Sequence, residues 1–303
     1  MRFHIIVNPA AGRRSAAELL ASVRTHLESR GATVEIYETK SAGDAGRHVG
    51  ELAADACDRL ILVGGDGTLA EVVNGRTGRL PWPIGLIPRG TANLVARELN
   101  MPLSEAPRRI ADALWQAEPW EVNVLEMVRG QEVTRAVANV SVGMDAEVVR
   151  AISTVRSGRS SASGGYTRWV RPILDAIRGF RFPRFSITVD GQHTYRAGAC
   201  MVQGTTNYGG LFRLAPQAAL DAPKLHVTML RPASRRDLVR LVTLGMMRRI
   251  HKAKDCVILE AEHVRIEAPK TVPVQSDGDP AGETDLSVRI RRGALTLLRA
   301  PQS

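Results

Sequence analysis

Apolar residues in the first hundred positions fall into short runs. Residues 60–63 are an unbroken run, 3–7 and 84–87 are runs with one other residue each, His4 and Gly85, and 33–37 is a weaker one. A run of four or five apolar residues bounded by glycine or proline predicts a strand buried on both faces. Between these runs the spacing becomes helical. Leu19, Leu20, Val23 and Leu27 share one face, Ser15 is placed to cap the start, and Gly31 stops the helix. Further helices are predicted from 44 to about 56, from Leu69 onward, and over 94–99. Strands alternating with helices predict a parallel sheet covered by helices.

From about Glu121 the pattern changes to short, strand-length runs at 123–128, 136–142, 186–189, 197–203, 225–230, 256–260 and 264–266, with a strand-like close at 285–290 and 295–298. These predict an antiparallel β domain. Two segments interrupt it. Residues 153–165 are rich in Ser, Gly and Arg and read as a loop, followed by a helix over 166–180. Residues 231–254 read as a basic helical stretch with eight Lys or Arg and one Asp. No internal repeat is evident.

Composition narrows the class. The chain has 303 residues, 44% of them apolar, which suits one large or two ordinary domains. No apolar run approaches the roughly 18–20 residues of a membrane span, and the N-terminal run reads as a first strand, too short for a signal peptide. Cys57, Cys200 and Cys256 are widely separated, which fits a reducing cytoplasm and no zinc site. The net charge of +10 favours an anionic partner: a nucleotide, an anionic membrane or a nucleic acid. With 4% aromatic residues and no basic–aromatic interleaving, single-strand nucleic-acid stacking is disfavoured.

Polar loops follow each early strand, at 8–15, 39–44, 64–68 and 88–93. In parallel α/β sheets, ligands sit at the carboxyl ends of strands, so these loops are expected to converge. The richest is Gly64-Gly65-Asp66-Gly67-Thr68, where glycines open backbone N–H groups and a helix start favours phosphate. Asp66 there is placed to reach a metal or to organise the turn. Gly65 to Ala70 also fits the loose G-x-G-x-x-A dinucleotide pattern. The acid that pattern expects about 20 residues on is missing, and no P-loop occurs.

The ordered set of Asn8-Pro9-Ala10-Ala11-Gly12, Gly64-Gly65-Asp66-Gly67-Thr68, Pro88-Arg89-Gly90-Thr91-Ala92-Asn93, Asn139-Val140-Ser141-Val142-Gly143-Met144-Asp145 and Asp277-Gly278-Asp279 resembles the diacylglycerol-kinase-type lipid kinases. The likeness is to their bacterial soluble branch, related to eukaryotic diacylglycerol, sphingosine and ceramide kinases. It spans nearly the whole chain. NAD kinases share the Gly-Gly-Asp-Gly-Thr element, but the Asn-Pro opening and the Pro-x-Gly-Thr-x-Asn element belong to the lipid branch.

The resemblance implies a parallel-sheet α/β nucleotide domain over 1–122, rejoined by about 291–303. A C-terminal antiparallel β-sandwich for the lipid substrate would cover 123–290, with the active site in the interdomain cleft. It implies ATP along Asn8, Pro9, Ala10, Ala11, Gly12, Arg13, Thr39, Gly65, Asp66, Gly67, Thr68, Leu69, Ala70, Glu71, Thr91 and Asn93. Mg²⁺ is expected with the phosphates, with Asp66 and Asp221 as metal candidates. Arg13 or Arg14 would neutralise phosphate charge. Asp277 and Asp279 are the candidates for the base that takes the proton from the lipid hydroxyl, although Ser-Asp-Gly-Asp-Pro is also a turn sequence. The expected setting is cytoplasmic and peripherally membrane-associated, without nucleic acid, and a homodimer is left open. The basic 231–254 stretch could dock on anionic headgroups, aided by Trp169 and Phe180. His4, His48 and His226 read as structural or surface residues.

Three departures define a second reading. Asp279 stands where the family usually has Glu, Ala222-Pro223 falls on the Asp-Gly pair of a structural Mg²⁺ segment, and Ala70 replaces a common Asn. A nucleotide-binding, lipid-associated protein with little or no kinase activity would tolerate all three. A nicotinamide-cofactor enzyme rests on the loose glycine pattern alone.

Overall fold

The computed structural model describes residues 1–11, 16–103, 106–157, 167–209, 212–232 and 234–301. The chain divides into two compact units, Met1–Val124 with Arg292–Ser303, and Leu125–Arg291.

The first unit contains β1 (Arg2–Val7), α1 (Ala16–Glu28), β2 (Thr33–Glu38), α2 (Asp44–Glu51), β3 (Arg59–Gly64), α3 (Asp66–Asn74), β4 (Ile84–Pro88), α4 (Leu94–Glu98) and α5 (Pro107–Gln116). Its strands run parallel in the order β2-β1-β3-β4. Ile5, Ile6, Leu60, Ile61, Leu62, Ile84 and Ile87 are essentially inaccessible to solvent, as such apolar runs require when helices cover both faces. Helix α1 packs on α5 and α2 on α3. The second contact is tight: a Cβ on Gly75 would lie 2.2 Å from the Gly46 carbonyl oxygen, so only glycine permits this approach.

The chain leaves this unit along β5 (Glu118–Arg129). The second unit then contains β6 (Glu132–Ala136), β7 (Asn139–Gly143), α6 (Met144–Ser157), α7 (Thr167–Gly179), β8 (Phe185–Val189), β9 (His193–Ala197), β10 (Ala199–Gln203), β11 (Asn207–Tyr208), β12 (Phe212–Arg213), β13 (Leu225–Leu230), α8 (Arg235–Met246), β14 (Cys256–Ala261), β15 (His263–Glu267), β16 (Pro273–Ser276) and β17 (Asp279–Glu283). The return strand is β18 (Leu286–Arg299), whose first half pairs with β15 and whose Leu297 lies beside Ile84 of β4. One antiparallel sheet has the order β14-β13-β10-β7-β16-β17. A second layer contains β15 between β8 and β18, with β9 beyond β8. Val140, Val142, Val202 and Val227 of the first sheet share a buried core with Phe185, Ile187, Val264 and Val288 of the second, which makes this unit a β-sandwich.

The α/β and β-sandwich classes agree with the sequence pattern, and several boundaries differ. The 136–142 run is two strands, because the chain turns at Val137 and Ala138 and their amides are held by Asp277. The 285–290 and 295–298 runs lie in one long strand. The predicted loop at 153–165 begins inside α6, and 158–165 lies outside the described residues. The basic helix is shorter than 231–254, starting at its Ser234 cap. Helix α5 has Ile110, Ala111 and Leu114 on a buried face, and its short apolar set was hidden among charged neighbours. Phe180 is buried beside Met144 and Leu238, so it is unavailable for membrane contact.

His4 and His226 are buried and His48 is half-buried. His4 Nε2 lies 2.8 Å from His48 Nε2, so one imidazole donates and the other must be unprotonated there. His48 also stacks on Tyr37 at 3.6 Å. Burial, reinforced by His4, holds His48 below the ordinary histidine range, and burial does the same to His226 despite Glu260. In the window below a histidine's usual pKa, the unfolded chain therefore binds more protons than the native state. Their contribution is complete above about pH 6.5 and lost as pH falls. Denaturant midpoints are expected to fall from pH 7.5 to pH 5.5, less steeply in His48→Gln. Equal slopes in wild type and variant would refute the assignment to His48.

Candidate active site

The carboxyl ends of β1, β2, β3 and β4 lie side by side. Val7 pairs with both Glu38 and Val63, and Gly64 pairs with Pro88. The loops that leave these strands are stitched by backbone hydrogen bonds. Asn8 N–H donates to the Val63 carbonyl at 3.0 Å, Thr39 N–H to Val7 at 2.9 Å, and Arg89 N–H to Gly64 at 2.7 Å. Parallel register thus brings the four polar clusters of the sequence to one edge, and the loops cross-link each other there.

Asn8 does so with its side chain. Its Oδ1 accepts from the Ala10 amide at 3.0 Å, a local turn, and its Nδ2 donates to Thr68 Oγ1 at 3.3 Å. Asn93 closes the neighbouring loop in a left-handed conformation, φ 48° and ψ 50°. Its Oδ1 accepts from the Gly90 amide and its Nδ2 donates to the Gly90 carbonyl. The β3 and β4 loops touch backbone to backbone: a Cβ on Gly90 would stand 2.7 Å from Gly65 Cα, and one on Gly65 would stand 2.9 Å from Gly90 Cα. The Thr39 loop is fastened by Asp44, which accepts from Lys40 N–H at 2.8 Å, Tyr37 OH at 3.1 Å and Arg47 at 2.9 Å. The Lys40 amide, chiefly, holds that carboxyl below the usual carboxylate range against its burial.

Asp66 opens α3 rather than ending a turn. Its two oxygens accept from the amides of Leu94 and Val95 at 3.0 and 3.2 Å. The carboxylate therefore organises the loops, tying the start of α3 to the first turn of α4. Burial pushes its pKa up, and those two amides oppose the shift. Of the expected nucleotide residues, Asn8, Pro9, Ala10, Ala11, Thr39, Gly65, Asp66, Gly67, Thr68, Ala70, Glu71, Thr91 and Asn93 lie in these loops or in the first turns after them. Leu69 lies in the first turn of α3 with its side chain in the core at 1% exposure, so only its backbone is at the loops. Gly12 and Arg13 lie outside the described residues.

The edge fits a phosphate chain. Its residues are small (Ala10, Ala11, Gly65, Gly67, Gly90), and Gly65 starts α3 with no side-chain cap of its own. By contrast, the Ser234 hydroxyl caps α8 by accepting from Asp237 N–H. Among the described residues no cluster of three His, Cys, Asp or Glu side chains is arranged to hold a metal. Asp66 is at the loop edge of the first unit and Asp221 on an exposed turn of the second. A Mg²⁺ at Asp66 would take its other ligands from phosphate oxygens and water.

In the second unit the late acid pair separates into two roles. Asp277 sits at φ 49° and its carboxylate accepts three amides, from Val137 at 2.7 Å, Ala138 at 2.8 Å and Asn139 at 2.9 Å. It pins the turn and is a poor choice of base. Asp279 is exposed at the start of β17. The turn between them is held by Gln275, whose Oε1 accepts from the Gly278 amide at 2.9 Å. Gln275 joins Asn139, Ser141 and Asp145 of the 139–145 motif in a buried polar group, and Gln275 and Tyr208 are the members that sequence reasoning missed. Gln275 Nε2 lies 2.7 Å from Asn139 Oδ1, 2.5 Å from Ser141 Oγ and 3.1 Å from Tyr208 OH. Asp145 Oδ2 accepts from the Ser141 and Tyr208 hydroxyls, while its Oδ1 is buried with no hydrogen-bond partner among the described residues. Burial raises the Asp145 pKa against those donors. In the sequence Gln275 stands beside Ser276 at the end of a four-residue strand, Pro273–Ser276, and no local pattern marks it.

Comparison with known proteins places these features. A family model described as the diacylglycerol kinase catalytic domain matches residues 2–127, and one described as the YegS C-terminal NAD kinase beta sandwich-like domain matches 138–299. The diacylglycerol kinase of Staphylococcus carnosus (strain TM300) is 27% identical over 290 residues, covering 93% of this chain and 90% of that protein. A crystal structure of a diacylglycerol kinase from Bacillus anthracis superposes with a TM-score of 0.74 at 21% identity, over 99% of this chain and 97% of that one. An NAD kinase from Archaeoglobus fulgidus in complex with ATP shares the fold more distantly, with a TM-score of 0.55 at 14% identity over 99% of this chain and 94% of that one. The fold has a solved counterpart over almost the full length of the chain, the two family models together span most of it, and the chain belongs to the diacylglycerol-kinase family.

Proposed function

We propose that this protein is an ATP- and Mg²⁺-dependent lipid kinase that phosphorylates a hydroxyl of a membrane lipid such as diacylglycerol. The observation that carries this reading is the convergence of the loops after β1, β2, β3 and β4 on one sheet edge, with Asn8 joining the first to Thr68, Asp66 joining the third to the start of α4, and the Thr39 amide tying the second to Val7. Membership of a family whose named relatives are diacylglycerol kinases supports the acceptor class.

In this reading the 8–11, 65–68 and 90–93 loops bind the triphosphate through backbone N–H groups. Thr68 is buried and held by Asn8, so the first turn of α3 is preorganised. Mg²⁺, when bound, would neutralise charge on the transferring phosphoryl group. Asp279 takes the proton from the acceptor hydroxyl, and Asp277 with Gln275 holds the turn that presents it.

Incubation with labelled ATP, Mg²⁺ and a panel of lipid alcohols tests the proposal. Label is expected in the organic phase with a diacylglycerol or a sphingoid-like alcohol, and chelation should remove it. Nucleotide binding without transfer to any acceptor would instead select the second reading, a nucleotide-binding, lipid-associated protein. The specific observation behind that reading is the engagement of the Asp277 carboxylate by three amides.

A further inference from the structure

Helix α8 carries two apolar stripes. Leu238, Leu241 and Gly245 point into the molecule. Leu241 packs with Met201, Leu214 and Ile250, and Leu238 with Met144 and Phe180. The second stripe, Val239, Val242 and Met246, has the same i, i+3, i+7 spacing and faces solvent. These residues are 60%, 39% and 63% exposed, and Met247 extends the stripe at 54%. A surface helix ordinarily places polar residues on that side. Four of the eight large hydrophobic side chains exposed among the described residues lie within these nine positions, so this is a patch and not scatter.

Cations frame the patch. Arg235, Arg236, Arg240, Arg248, Arg249, Lys252 and Lys254 are all exposed. Arg240 is neutralised by Asp255 at 2.5 Å, and Arg235 donates to the Arg178 carbonyl. Arg236, Arg248, Arg249, Lys252 and Lys254 form no ion pair among the described residues. The no-span condition also holds: among the described residues no helix is long and apolar enough to cross a membrane.

We propose that this face of α8, with the 248–254 segment, docks on an anionic lipid bilayer. Val239, Val242, Met246 and Met247 enter the interface while the flanking Arg and Lys side chains contact headgroup phosphates. A second copy is a poorer occupant, since a two-fold contact would set this excess of positive charge against itself. Nucleic-acid phosphates would match the cations but leave the apolar stripe in water. The inference deepens the lipid-kinase reading, which gives the surface its purpose, yet docking is measured without turnover.

The test is co-sedimentation with vesicles of phosphatidylcholine alone and of phosphatidylcholine with phosphatidylglycerol. Wild type is expected on the anionic vesicles, with binding that weakens as salt rises. Arg236→Gln/Arg248→Gln/Arg249→Gln should weaken binding by about fivefold per cation removed. Val242→Ser/Met246→Ser/Met247→Ser should release the protein from vesicles at unchanged charge. Both variants should keep wild-type turnover on detergent-dispersed substrate, because none of these residues belongs to the loops or the acid turn. Unchanged vesicle binding in either variant, equal binding to neutral and anionic vesicles, or a wild-type dimer that the apolar variant dissociates would each overturn the docking surface. Vesicle binding by a protein that phosphorylates nothing would retain the surface and reject the kinase reading.

Discussion

Asp279→Asn is expected to lower lipid phosphorylation by about 10²–10⁴-fold, the usual contribution of a positioned general base, with a smaller shift of the unfolding midpoint than Asp277→Asn. The residue is exposed at the start of β17, so its substitution disturbs no packed surface. Asp277→Asn is the informative contrast. Both Asp277 oxygens face amide donors, and an amide nitrogen put in place of one oxygen would point N–H groups at N–H groups. A buried donor left without an acceptor costs about 1–3 kcal/mol. Asp277→Asn should therefore lower the denaturant midpoint first, and activity through a displaced turn. Steady-state kinetics and urea unfolding on both variants separate the roles. Wild-type kcat/KM in Asp279→Asn would remove the base from this turn. A stable but inactive Asp277→Asn would move the base one glycine back.

Gly90→Ala is expected to destabilise the first unit by about 1–3 kcal/mol, as overpacking does, and to abolish protection by nucleotide. The added Cβ would meet Gly65 Cα at 2.7 Å and Asn93 Oδ1 at 2.8 Å. The first obstacle is backbone, so no rotamer change relieves it. The second would dislodge the side chain that closes the loop on Gly90. The β3 and β4 loops must then separate, and the geometry proposed for the phosphates goes with them. Thermal unfolding with and without ATP and Mg²⁺ reads the effect. A ligand at a hundred times its Kd adds about 2.7 kcal/mol to a protein that binds it only when folded. Wild type should show that gain and Gly90→Ala should not. A variant that keeps both its stability and its nucleotide shift would place the triphosphate elsewhere.

Two of the acids singled out in the sequence, Asp66 and Asp277, show where reading residues in order stops. Both stand in glycine-rich turns, and for both the sequence left open a chemical role, metal or proton, beside a turn-organising one. Each proved to hold another loop through backbone amides, at Leu94 and Val95 in one case and at 137–139 in the other. Those partners are 28 and about 140 residues away. No local pattern encodes such a pairing. Leu69 shows the same limit in reverse: adjacent to the motif in the chain, it belongs to the core because a helix turns successive side chains by about 100°.

Taken by itself, the amino-acid order determined the alternation of buried strands and helices in the first unit, the change to antiparallel strands after it, and the placing of the glycine loops at strand ends. Those properties are set by backbone conformation and by burial of neighbouring residues, and hydropathy records both. Tertiary structure alone decided that Asp44, Asp66 and Asp277 fasten loops, that Gln275 joins Asn139, Ser141, Tyr208 and Asp145 behind the acid turn, and that α8 keeps an apolar stripe in solvent. Each of these depends on which distant segment the topology lays alongside, and a buried carboxylate or amide takes its role from the donors it meets there.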